Sequence, residues 1–118
     1  MDVVVTVPKA RWALWLSEGD RAGDDPTGQE YYFALGRNMP LIEPGERVYI
    51  VSWGRLRGYA PLVRLERALR GYKADFRLIR AGGAVACTIP AHVRGFQGFR
   101  YRWWDRAEER LYPTWRTP

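Results

Sequence analysis

Alternation of apolar and polar positions dominates this chain, and it is interrupted early by one stretch at helical spacing. Residues 2–7 carry a β-branched run behind Asp2, and such side chains fit a pleated surface, so this segment predicts a strand. Pro8 suits the first turn of a helix. Residues 9–17 (KARWALWLS) supply good helix formers, with Gly19 just beyond the end. Trp12, Trp15 and Leu16 fall on one face at that spacing, which predicts a stripe packing the helix onto the body. A base-stacking platform is the alternative use of those rings. Residues 18–30 (EGDRAGDDPTGQE) are polar and rich in Gly, Pro and Asp, so a solvated loop is expected there, with a lid as its alternative role. Asp20, Asp24 and Asp25 lack the spacing and closing carboxylate of a calcium loop.

From Tyr31 onward the period is two. Strands are predicted over 31–35, 47–53, 59–67, 76–80, 84–89 and 95–105. Residues 36–40 form a break, Pro44-Gly45 a turn, and 54–58 (GRLRG) a tight basic connection. Pro61 has no amide donor and belongs at an edge or a bulge. Residues 68–74 read as a linker or one helical turn, and Gly82-Gly83 as the tip of a hairpin between its two flanking strands. Residues 106–118 read as a polar tail carrying Trp115. Seven or so short strands and one early helix predict a mainly β chain with one or two short helices. The expected form is a small barrel or closed sheet with the helix at one end, one domain over 1–118.

Composition narrows the function classes. A length of 118 residues fits one core without covalent staples. Cys87 is the only cysteine and His92 the only histidine, so neither a disulfide nor a clustered His/Cys metal site is expected, and no cofactor is called for. No apolar run approaches the roughly 20 residues of a membrane span, and no basic n-region precedes the first apolar residues. A cytoplasmic protein without a membrane partner is the expectation. The net charge of +6 favours polyanions. Residues 1–30 hold three basic and six acidic side chains, 31–76 eight and four, and 77–118 eight and three, so the positive surface belongs to the middle and end. Arginine makes up 17 of the 19 basic residues, which a GC-rich coding sequence also produces. That bias explains arginine over lysine more readily than an excess of base over acid.

Three patterns pair arginines with aromatic rings or amides. On a strand, Phe99, Tyr101 and Trp103 share one face while Arg100, Arg102, Trp104 and Arg106 share the other. The second face supplies phosphate contacts beside a stacking ring, or a solvated outer face with arginine stems over Trp104. In the segment from Trp53 to Tyr59, Gly54 and Gly58 permit close backbone approach to a ligand, Arg55 and Arg57 flank the turn, and a plain hairpin would want the same glycines. Arg37 and Asn38 place a charged fork beside an amide able to read a base edge, in a loop where asparagine also favours a turn. Candidate catalysts are few. Cys87 reads as a buried small hydrophobe, His92 has no acid or thiol near it in sequence, and Glu43, Glu46 and Glu66 read as surface pairs.

Residues 44–66 add a resemblance. Gly45-Glu46-Arg47-Val48-Tyr49, then Gly58-Tyr59-Ala60-Pro61-Leu62-Val63, resemble the paired strands of the PUA-like superfamily, including its ASCH and EVE branches, and Arg37-Asn38 is similar to a pair that precedes them in EVE domains. The resemblance covers residues 36–66 and implies a pseudo-barrel whose cleft holds RNA or a single modified base. Some ASCH-type relatives are amidohydrolases with a lysine-bearing motif, and neither Lys9 nor Lys73 stands in a matching context.

Three readings follow. The first is a nucleic-acid-binding module for RNA, single-stranded or modified DNA, or a nucleotide, with Arg37, Asn38, Trp53, Arg55, Arg57, Tyr59, Arg100, Arg102 and Trp104 as its contacts. The second is a small hydrolase of a modified nucleoside or amide using Glu46, Glu66 or His92. The third is a scaffold or homo-oligomer joined through Trp103, Trp104 and Trp115.

Overall fold

A computed structural model describes residues 1–17, 28–70, 73–113 and 115. Its nine strands among those residues are β1 (Val3–Thr6), β2 (Tyr31–Gly36), β3 (Arg47–Ser52), β4 (Arg55–Pro61), β5 (Arg64–Arg70), β6 (Lys73–Arg80), β7 (Val85–Thr88), β8 (Phe99–Tyr101) and β9 (Arg110–Leu111). One short helix, α1 (Trp12–Ser17), follows a 3-10 turn at Lys9–Arg11. The chain is therefore mainly β with a short helix, as its periodicity predicts. The polar segment predicted as a loop, with Asp20, Asp24 and Asp25, lies largely outside the described residues.

The strands form two sheets, ordered β8-β1-β3-β4-β7-β9 and β2-β6-β5. β1 runs parallel to β3 and is covered on both faces, which is why its sequence is an unbroken apolar run rather than an alternation. Val3, Val5, Val48 and Ile50 face α1 and the second sheet, together with Trp12, Trp15 and Trp115. Val4, Tyr49, Val51 and Leu56 face the other way, under Cys87, Ile89, Val93 and Trp104. Trp12 and Trp15 stack with centroids 5.0 Å apart, so the helical stripe is core. Such a pair adds about 0.5–1.5 kcal/mol beyond its buried area.

Adjacent residues at one corner bond to different sheets. The Leu62 N–H donates to the Glu46 carbonyl (2.8 Å), and the Val63 N–H donates to the Ile79 carbonyl (2.8 Å). The strand predicted over 59–67 is thus two strands, with Pro61 ending β4 where its missing donor is harmless. Three further expectations change. Residues 68–70 and 73–74 are paired ends of β5 and β6 rather than a linker, since β5 pairs with β6 from Arg64 to Arg70. The Gly82-Gly83 segment, at φ 90° and 73°, passes from the second sheet to the first rather than closing a hairpin, because β7 pairs with β4 and β9. The strand predicted over 95–105 shrinks to Phe99–Tyr101, since only Val3, Val4 and Val5 offer it an edge. Strand pairing does not close the two sheets into one barrel among the described residues.

Candidate functional site

Trp53 stands where the backbone least favours it. Ser52 pairs with Arg55, so the β3–β4 turn has two residues, Trp53 and Gly54, at φ 55° and 72°. Both left-handed angles mark the hairpin turn that normally selects Asn-Gly, and a bulky side chain at the first position costs roughly 1–2 kcal/mol. Four hydrogen bonds hold this turn and the strand end behind it. The Val7 N–H donates to the Val51 carbonyl (2.9 Å), the buried Ser52 hydroxyl to the Val7 carbonyl (2.8 Å), and the Val93 N–H to the Gly54 carbonyl (2.9 Å). Arg57 Nε donates to the Ser52 carbonyl (2.8 Å). The result is a rigid mount that leaves Trp53 52% exposed.

The Trp53 ring borders a cleft of about 460 Å³, whose lining includes Thr6, Lys9, His92 and Arg94. Lys9 Nζ lies 4.1 Å from the ring centroid, a cation–π contact on one face. His92 packs so tightly on Gly54 that a Cβ there would collide with the imidazole. Thr6 Oγ1 accepts from the Phe96 N–H (3.2 Å), and the exposed Arg100 guanidinium lies 4.5 Å from the Phe96 ring centroid. Among the described residues lining the cleft there is no carboxylate.

A second basic and aromatic cluster has the opposite character. Asp2, buried to 4% of its side-chain surface, accepts from the Arg47 N–H (2.8 Å), Arg102 Nε (3.1 Å) and Arg106 Nη2 (2.8 Å). Burial alone would push its carboxyl up, but these donors hold it below the usual carboxylate range. Glu109 accepts from Arg47 Nη1 (3.0 Å), the Tyr49 hydroxyl (2.6 Å) and Trp104 Nε1 (2.9 Å). Burial, and then the Glu109 hydrogen bond, raise the Tyr49 phenol. Every ring and charge in this cluster is already used within the fold.

The predicted contacts therefore separate. Trp53 is at the open cleft, and Arg100 is linked to it through Phe96, whose N–H binds the cleft residue Thr6. Arg55 is exposed after the turn, with Nη1 donating to the Tyr112 hydroxyl (3.1 Å). Arg57 is 2% exposed and braces the turn from behind, so it is not a phosphate contact. Trp104 is 5% exposed and T-stacked on Tyr49, so it is a core ring rather than a stacking platform. Arg102 is paired with Asp2 and also donates to the Trp104 carbonyl. Tyr59 is half-buried beneath the Arg47 guanidinium, 4.0 Å from its ring centroid. Arg37 and Asn38 are exposed on the connection leading to Leu41, whose N–H binds the Tyr101 hydroxyl (3.0 Å) at the Val3 end of β1, away from Trp53.

No protein-family model, curated protein or solved structure matches this chain.

The glycines expected to admit a ligand admit the protein's own rings instead. A Cβ on Gly58 would collide with the Trp115 ring and the Val85 carbonyl. The acid–base candidates do not converge. Glu46 binds the N-terminal amine, Glu66 pairs with Arg64, and only His92 borders a described cleft. Cys87 is buried, and its thiol is pushed up to about 12, first by burial and then by Glu109. The expected oligomer aromatics also divide, with Trp103 51% exposed and Trp104 and Trp115 in separate core clusters. Among the described residues no helix is long and apolar enough to cross a membrane.

Lys9 and Arg94 were not singled out from sequence as contacts. Lys9 reads as a helix former, and Arg94 sits in PAHVRGF, which has no periodicity to place it. One local signal was available for the mount: a two-residue turn containing Gly54 between alternating strands makes Trp53 its first central residue.

Proposed function

We propose that this chain is a binding module for single-stranded nucleic acid, acting in the cytoplasm through the cleft at the β3–β4 turn. The observation that carries this reading is Trp53, a bulky side chain held in a left-handed backbone conformation, half exposed, beside cations and no carboxylate. Backbone strain that the surroundings enforce points to use rather than to packing. A base stacks on the indole, which contributes roughly 1–3 kcal/mol whatever the base. Lys9, Arg94 and Arg100 neutralise the adjoining phosphates. A duplex keeps its base faces covered, so an accessible indole favours single strands. The PUA-like resemblance of residues 36–66 agrees with this reading, since it implies RNA or a modified base as ligand.

The test is anisotropy of labelled single-stranded RNA, single-stranded DNA and duplex, with tryptophan emission followed in parallel. Saturable single-strand binding that weakens with salt, and that falls at least about tenfold in Trp53→Ala, is the expected result. Equal binding by Trp53→Ala, or no binding at low salt, would refute the proposal.

A further inference from the structure

Val7 and Pro8 border two clefts, one on either side. The first is the Trp53 cleft, and the second, of about 430 Å³, is lined by Arg11, Trp15, Tyr32 and Phe33 among others. The divider is fixed, since both the N–H and the carbonyl of Val7 are hydrogen-bonded to β3. The 3-10 turn that follows places Lys9 on the first cleft and Arg11 on the second. Neither cleft has a carboxylate among its described lining residues. Tyr32, which lines the second cleft, is 53% exposed.

We infer that the two clefts take consecutive nucleotides of one strand, so that the unit of recognition is a dinucleotide step astride Pro8. This rests on the single-strand reading and extends it. One base stacks on Trp53. The next enters the second cleft beside the exposed Tyr32 ring. The phosphate between them lies over the divider, within the joint field of Lys9 and Arg11. Arg77, whose guanidinium is 4.6 Å from the Tyr32 ring centroid, adds a further cation beside that ring. The two clefts have similar volumes, about 460 and 430 Å³, as two like units require.

The experiment measures affinities of uridine monophosphate, the uridine dinucleotide and the uridine tetranucleotide, with the matching deoxythymidine series alongside. The expected gain from one to two units is roughly tenfold or more, because the second site is filled intramolecularly, and the gain from two to four is small. Arg11 is exposed, so Arg11→Ala spares the core; it should lower dinucleotide affinity more than monophosphate affinity and so shrink the gain at two units. Tyr32→Ala removes the exposed ring of the second cleft and should lower dinucleotide affinity more than monophosphate affinity. Trp53→Ala should weaken all three ligands. Binding of every length with no gain at two units, or an equal loss for all lengths in Arg11→Ala, would overturn the two-cleft inference and leave the single-strand reading standing. Failure of all three ligands to bind the unaltered protein would overturn both.

Discussion

The Asp2–Glu109 cluster and the Trp53 cleft are built from the same residue types and differ in where the acids fall. At the first, two buried carboxylates collect Arg47, Arg102, Arg106, Tyr49 and Trp104 into a closed network that ties the last third of the chain to β1 and β3. At the second, Lys9, Arg94 and an exposed indole border a cleft without a carboxylate among its described lining. An arginine beside an aromatic ring therefore says little about binding until its acid partners are located. The same pairing stabilises a fold when a carboxylate is buried with it, and it faces outward when none is.

The largest effect expected from this contrast is on stability. Glu109→Ala would strip the acceptor from three donors around a half-buried site, and leaving buried donors unpaired costs roughly 1–3 kcal/mol each. A loss of about 3 kcal/mol in urea unfolding is the prediction, with single-strand affinity unchanged in the folded protein. A loss under about 1 kcal/mol would show that the network is not what holds the C-terminal segment.

The next effect separates arginines that look alike in sequence. Each of Lys9→Ala, Arg94→Ala and Arg100→Ala should flatten the salt dependence of single-strand binding by roughly 0.7 in log–log slope. Arg102→Ala should leave that slope unchanged and instead lower stability by about 1–2 kcal/mol, since Asp2 loses one of its donors. A flattened slope for Arg102→Ala would bring the closed cluster back into the footprint.

Acid offers a finer test of the closed cluster. The Asp2 carboxyl lies below its unfolded value of about 3.9, so its stabilisation is complete above that pH and is lost as pH falls through the lower folded value. Asp2→Asn should therefore unfold with a shallower dependence on pH below about 4 than the unaltered chain. Identical acid profiles would contradict the pairing. The smallest effect concerns Cys87, which should resist thiol reagents at neutral pH in the folded protein and react once urea unfolds it.

What was legible in the sequence was local. The β-branched run of β1, the helical stripe of Trp12, Trp15 and Leu16, and the turn at Pro44-Gly45 each declare themselves within a few residues. What was not legible depended on distant partners. Alternation through residues 99–106 places Trp104 outward only if the strand continues, and it ends at Tyr101 because the chain is drawn inward to Asp2, about a hundred positions away. The pairing of β5 with β6 was hidden because their sequences, RLERALR and KADFRLIR, are rich in charge without a clean alternation and read equally well as a polar linker. Of the proposed site, Trp53 and Arg100 came from their own neighbourhoods. Lys9 and Arg94 joined them only through the pairing of β1 with β3 and the bond from Val93 to Gly54.

The most direct test is the double effect of Trp53→Asn. Asparagine before Gly54 suits the left-handed turn, so unfolding free energy should rise by about 0.5–1 kcal/mol while single-strand affinity falls at least roughly tenfold. A more stable protein that binds more weakly would show that the strained backbone is kept for the exposed indole. Unchanged binding, whatever happens to stability, would contradict a role for Trp53 in recognition.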